Sequence, residues 1–206
     1  MKKSRSWAAL LLALAWASPP SYAAVRVPKT RPAAASASVY VLREGRFSAK
    51  PPAGWTASRD AREDARQKAY GVQFSGPRGA DGVLSTISLA YYPPGNALFK
   101  GGSAEFLERN LGQDERFIPP AGESVGPVKR TVLGGLPAQS FTRRSREFIP
   151  PDRTDSKPVE VVEEIEVAQA KKGFYVLEFK SSAGSAAGLE PVFARFRDGV
   201  RFKPAD

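Results

Sequence analysis

The stretch YGVQFSGPRGADGVLSTISLAYYPPGN, residues 70–96, decides how this chain folds. Val72 and Phe74 alternate with Gln73 and Ser75, the period-two pattern of a half-buried strand. Gly76, Pro77, Gly79 and Gly82 then interrupt it. Glycine supplies the positive φ a reversal needs, and proline has no N–H to give a central ladder. Alternation resumes with Val83, Ser85, Ile87, Leu89 and Tyr91 on one face and Leu84, Thr86, Ser88, Ala90 and Tyr92 on the other. Pro93 and Pro94 end the strand. The stretch therefore predicts two antiparallel strands over a glycine-rich turn.

The chain on either side reads as the completion of that sheet. Val128–Leu133 is predicted as a strand, Gly134-Gly135 as a tight turn and Leu136–Ile149 as a long strand. The polar PPDRTDSKP turn, residues 150–158, leads into a strand over Val159–Ala168. Lys171-Lys172-Gly173 turns the chain into Phe174–Lys180, where Tyr175, Leu177 and Phe179 oppose Phe174 and Val176. Apolar residues on both faces predict a central strand covered on both sides. Upstream, Val39–Leu42 and Arg46–Ser48 read as ordered, extended segments, and Pro51, Pro52 and Gly54 turn into a packed Trp55. Ser58–Ala69 reads as a surface loop or a short solvated helix, with Asp64 and Lys68 at pairing distance if helical.

Two helices carry apolar stripes. Ser103 suits an N-cap, Glu105 the first turn, Phe106, Leu107 and Leu111 the buried side, and Gly112 the stop. Leu189, Val192, Phe193 and Phe196 fall at i, i+3, i+4 and i+7, with Pro191 expected in the first turn. Val200 and Phe202 dock the tail. Together the elements predict an α+β domain, an antiparallel sheet sandwiched by helices.

The first 23 residues have the form of a signal peptide. Lys2, Lys3 and Arg5 precede the apolar run Trp7–Ala17, and small residues lead to cleavage after Ala23. The run is shorter than the ~20 residues a bilayer span needs. Residues 24–38, AVRVPKTRPAAASAS, read as a flexible Pro/Ala/Ser linker, and residues 39–206 as a single domain. The mature chain is expected to be exported to the periplasm or beyond, with no transmembrane segment.

Composition excludes whole classes of chemistry. The 206 residues contain neither histidine nor cysteine. Ser-His-Asp and Cys-His catalysis, thiolate or imidazole metal sites and disulfides are therefore impossible. Carboxylate chemistry and oxygen-ligand sites remain open. Hydrophobic residues are 42% and charged residues 25%, which places the bulk of the chain among globular proteins. The charge is +10; without Lys2, Lys3 and Arg5, 28 basic against 21 acidic residues leave +7. Outside the cytoplasm such a chain meets anionic lipid or cell-wall polymer, not nucleic acid. GPRGADG lies between two strands with no helix after it, so it is not a phosphate-binding loop.

Three groups of residues are candidates for function. Arg143, Arg144 and Arg146 lie on one long strand, facing Glu160, Glu163, Glu164 and Glu166 on the next. Cross-strand charge pairs of this sort contribute about 0.2–1 kcal/mol each. Glu163 shares the parity of Val159, Val161, Ile165 and Val167, so it points inward: the strand bulges there, an arginine pairs with it at the rim, or it lines a pocket. Tyr91 and Tyr92, with Trp55 and Phe99, stand near turns where a groove can form. Asp152 and Asp155, with Glu160 beyond, match no calcium loop, so no metal or cofactor is expected.

The order of short signatures is that of a known family. FSAKPPAGW precedes the first hairpin, which ends in YYPPGN; AEFLERNL, LGGLPAQSF, GFYVLEF and PVFARFRDGVRF follow. Over roughly Phe47–Phe202 the chain resembles the PsbP-like family, whose fold is shared by the photosystem extrinsic subunit, a nuclear Ran-binding protein and many bacterial exported proteins. The resemblance implies an α/β/α sandwich and a binding or accessory role without a shared cofactor. The ligand-binding histidines of PsbP have no counterpart in a histidine-free chain, so no functional residue carries over. The expected function is that of an exported, non-catalytic binding or accessory protein of the bacterial envelope, its partner an envelope protein or an anionic envelope polymer. The alternatives are a carboxylate-based glycan hydrolase using Glu163 and a basic binder of anionic lipid or cell-wall polymer.

Overall fold

The structure is a computed structural model and describes residues 38–112, 122–151 and 153–203. The expected signal peptide, its cleavage at Ala23 and nearly all of the expected linker lie outside the described residues. In chain order the elements are β1 (Tyr40–Leu42), β2 (Phe47–Ala49), β3 (Thr56–Ser58), α1 (Ala61–Gln67), β4 (Tyr70–Arg78) and β5 (Leu84–Tyr92). They continue as α2 (Gly102–Leu111), β6 (Ser124–Val125), β7 (Lys129–Leu133), β8 (Leu136–Ile149), β9 (Lys157–Gln169), β10 (Phe174–Ser182), α3 (Ala183–Gly199) and β11 (Arg201–Phe202).

The quoted hairpin forms as its alternation requires. Val72 stands opposite Leu89 and Phe74 opposite Ile87, and the buried Ser85 meets the Ser181 hydroxyl at 3.1 Å. Strand β4 runs on through Gly76 and Pro77, which the sequence reading assigns to the interruption. The register shifts between Ser75 and Arg78, so the proline falls at an irregularity where no ladder N–H is needed. Gly76 has a second use: a Cβ there would lie 2.4 Å from the Trp55 ring, which rests on the bare backbone.

The large sheet is antiparallel throughout, in the order β3-β4-β5-β10-β9-β8-β6, with β7 also on β8. The central strand β10 is covered on both sides, as its double apolar face requires. On one side α2 packs Phe106 against Phe141, Ile165, Val167, Phe174 and Val176. On the other, Phe193 of α3 stacks on Phe179 with centroids 5.0 Å apart, and Phe196 meets Phe74 at 5.3 Å. A small sheet, β1-β2-β11, closes this second side with Leu42, Phe47 and Ala49; Phe202 of its last strand stacks on Tyr175 at 3.9 Å. The architecture is α+β, a sheet between helices. At the β9–β10 turn Gly173 takes φ +81°, and its hydrogen sits where a Cβ would be 2.1 Å from the Tyr92 carbonyl oxygen.

Local details differ from the sequence reading for identifiable reasons. Helix α2 begins two residues earlier, with Gly101 at the cap; the Glu105 carboxylate accepts from the Gly101 N–H at 2.7 Å. Ser103 is thus inside the helix, and its hydroxyl donates to Gln169 Oε1 at 2.5 Å. Helix α3 starts at Ala183, because the small residues before Leu189 are helical, so Pro191 lies in the interior and not in the first turn. Residues 61–67 settle as a helix capped by Asp60, whose carboxylate accepts from the Arg62 and Glu63 amides. Asp64 pairs with Arg59 at 2.6 Å instead of Lys68, which takes the left-handed C-cap. Strands β3 and β6 are too short for alternation to announce them.

Candidate functional site

Helix α2 covers only part of its side of the sheet. Phe174, Val176 and Ile165 lie under it. Farther along the same face the inward positions turn polar. Strand parity and register put Arg143 of β8 opposite Glu163 of β9, Glu163 opposite Lys180 of β10, and Glu178 of β10 opposite Ser88 of β5. Three consecutive strands, β8, β9 and β10, and the sequence-distant β5 thus converge on one polar tract.

Glu163 is 7% exposed, and the tract is built around it. Of the three outcomes open to an inward glutamate, the structure shows pairing: Arg143 Nε donates to its carboxylate, with no register shift between β8 and β9. The same guanidinium donates through Nη1 to Asn110 Oδ1 at 3.3 Å, and Asn110 Nδ2 donates to the Phe106 carbonyl at 2.8 Å. The last turn of α2 therefore orients the ion pair. Alongside, the Lys180 ammonium donates to Glu147. Glu178 is half-buried, and among the described residues its carboxylate has no hydrogen bond or ion pair. Burial pushes its carboxyl above the usual range, and the Glu163 charge adds to this, while Arg143 and Lys180 oppose it. The tract offers one carboxylate paired with a guanidinium, a second inclined to keep its proton, and a partly exposed guanidinium and ammonium.

The other predicted residues are distributed differently. Arg144 and Arg146 point to the α3 side, since adjacent strand residues face opposite ways. Arg144 pairs diagonally with Glu160 at 2.5 Å on the exposed surface. The Arg146 guanidinium packs where a Cβ on Gly122 would lie 2.7 Å from Nε. Tyr91 and Tyr92 likewise part company. Tyr91 is buried, and its hydroxyl donates to the Lys172 carbonyl at 2.6 Å. Tyr92 stacks on Phe174 on the α2 side at 4.9 Å. No single groove holds them both. Asp155 is bidentate to Arg153, and Asp152 lies outside the described residues. Among the described residues no three carboxylates gather as a metal site.

Glu178, Lys180, Glu147 and Asn110 escaped the sequence reading. The available signal was the change from Phe174 and Val176 to Glu178 and Lys180 along one face of an otherwise apolar strand. The α3 side holds a second buried acid, Glu166, only 1% exposed. Arg197 Nη1 donates to its Oε1 at 3.4 Å, and its Oε2 has no partner among the described residues.

No protein-family model and no curated protein matches the chain. Among solved structures it is similar to cyanobacterial PsbP from Synechocystis sp. PCC 6803, at 9% identity and TM-score 0.47 over 87% of this chain and 98% of that one. It is similar to LpqN of Mycobacterium tuberculosis, described as involved in cell envelope biogenesis, at 14% identity and TM-score 0.45 over 77% and 83% of the two chains. A Bacteroides thetaiotaomicron protein aligns at 10% identity and TM-score 0.48 over 81% of this chain, which spans about half, 48%, of that protein's length.

Proposed function

We propose that the chain is an exported, non-catalytic binding or accessory domain of the bacterial cell envelope, and that its partner sits on the polar tract beside α2. Export rests on the signal-like residues 1–23, the small-residue cleavage site at Ala23 and the Pro/Ala/Ser arm that precedes a single domain. No helix among the described residues is long and apolar enough to cross a membrane. The observation that carries the binding reading is the polar tract itself: Arg143 and Glu163 are locked by each other and by Asn110, while Glu178 stands beside them with no hydrogen-bond partner among the described residues. Pre-oriented polar groups lose little entropy when a ligand binds, which suits recognition. In a pull-down from the envelope fraction, the Glu178→Ala/Lys180→Ala variant should lose the wild-type partner while its far-UV spectrum is unchanged. Equal retention by variant and wild type rejects the assignment.

One observation favours a second reading, glycan hydrolysis. Glu163 and Glu178 are diagonal neighbours on adjacent strands, a relation that places their backbone positions about 7–8 Å apart with both side chains on one face. Paired carboxylates of inverting glycosidases are separated by roughly 6.5–9.5 Å. Here Glu178 would be the acid and Glu163 the base. The reading requires turnover of a cell-wall glycan that Glu178→Gln abolishes and that falls as pH rises through the raised Glu178 pKa. A purified protein inert toward such glycans disposes of it.

A further inference from the structure

The small sheet has an inner and an outer face, and the two differ in character. Inward, Leu42, Phe47, Ala49 and Val200 are buried in the core. Outward, Val41, Ser48 and Arg201 form one row across the three strands. Arg43 and Lys50 stand exposed at the ends of β1 and β2, and Lys203 follows β11, its amide bonded to the Arg46 carbonyl at 2.8 Å. Two aliphatic side chains lie among these charges: Val39 is 61% and Val41 49% exposed. The acids on the flanking turns are already engaged, Glu44 with Arg59 at 3.6 Å and Asp198 with Arg197 at 3.5 Å. None of Arg43, Lys50, Arg201 and Lys203 is in an ion pair among the described residues. In the sequence, β1 is preceded by residues 24–38, which add Arg26, Lys29 and Arg31 and no acid.

We infer that this outer face docks on an anionic lipid bilayer. The charge complementarity is with phosphate headgroups: cations spread across neighbouring strands, about 4.8 Å apart, meet a plane of negative charge. The valines decide between lipid and a phosphate-bearing wall polymer. Aliphatic side chains gain by leaving water for the acyl boundary of a bilayer, and a hydrated polymer offers them nothing. The inference goes beyond the polar tract beside α2 and does not depend on it, since the two surfaces share no residue.

The test is cosedimentation of the purified protein with vesicles of equal parts phosphatidylcholine and phosphatidylglycerol, against vesicles of phosphatidylcholine alone. Binding is expected only with phosphatidylglycerol, and it should weaken as salt rises. Each basic residue near such a surface is worth roughly fivefold, so Arg201→Gln/Lys203→Gln should weaken binding about 25-fold. Val39→Ser/Val41→Ser should weaken it several-fold at unchanged charge. Arg153→Gln/Lys157→Gln, which removes the same charge from the β8–β9 turn, should bind as wild type, and so should Glu178→Ala/Lys180→Ala. Val39, Val41, Arg153, Lys157, Arg201 and Lys203 are exposed side chains and Glu178 and Lys180 are half-buried, and melting curves confirm that each variant is folded. Absence of binding to phosphatidylglycerol overturns the inference, as does a Gln pair at 201 and 203 that behaves like the control. Equal binding to soluble polyphosphate together with a silent valine variant overturns it in favour of a polymer.

Discussion

Phe193→Ala is expected to lower stability by about 3–5 kcal/mol, the range for removing a buried aromatic side chain from a packed core. The ring is 2% exposed and stacked on Phe179 at an interplanar angle of 17°. It joins α3 to the central strand, so truncation leaves a void between the helix and the sheet. The chain has no cysteine and hence no disulfide to limit its unfolded state. A loss of this size is a large share of the roughly 5–15 kcal/mol typical of a domain. The variant should be poorly folded and rapidly proteolysed, and a thermal melt measures the loss directly. An amphipathic helix can also serve as a docking face, and then the same substitution would leave the melt unchanged and remove a partner. The burial of Phe193 and Phe196 speaks for the core. An unshifted melting curve would show that α3 does not pack as described.

The second large effect has the opposite sign. Glu166→Leu is expected to stabilise the protein at neutral and alkaline pH by about 1–4 kcal/mol, as when buried ion pairs are replaced by apolar residues. The Glu166 carboxylate is buried opposite Leu177, with a single 3.4 Å contact to Arg197 and one oxygen unpartnered among the described residues. Burial pushes its carboxyl up; Arg197 opposes this, and Glu164 and Asp198 reinforce it. A folded-state pKa above the unfolded value gives a stability contribution that is complete below the unfolded pKa and is lost as pH rises through the folded one. The advantage of Glu166→Leu should therefore grow from acid to neutral pH. Arg197 is partly exposed and keeps Asp198 at 3.5 Å, so the substitution strands no buried cation. Urea unfolding at acid and at mildly alkaline pH checks both sign and trend. A variant less stable than wild type above neutrality would show that the carboxylate is better satisfied than its geometry indicates.

The hairpin of residues 70–96 was legible because every other residue from Val83 to Tyr91 is buried. The inward turn of Glu163 was legible for the same reason: a charged residue at an apolar parity is conspicuous. The identity of its partner was not, since three arginines stood across the turn and only register selects Arg143. Parity also separates Arg143 from Arg144 and Tyr91 from Tyr92, so adjacency in a strand was the wrong guide to a shared site. Glu178 and Lys180 joined the tract only through pairing with β9 and β5, which no local pattern encodes. The helix starts were missed where the first turns are built from Gly, Ala and Ser, residues too small to mark a buried stripe.

The strand order also governs how the chain reaches this state. The β4–β5 hairpin and the β8–β9–β10 meander each close between neighbours in sequence, so their loop-closure entropy is small. They meet along a single line, β5 on β10, whose partners such as Tyr92 and Phe174 are remote in the chain. Both helical layers straddle that line, with Phe106 of α2 against Phe174 and Phe193 of α3 against Phe179. Most of the non-local ordering cost is therefore concentrated in one joining event, and the aromatic contacts that reward it come from both sides at once.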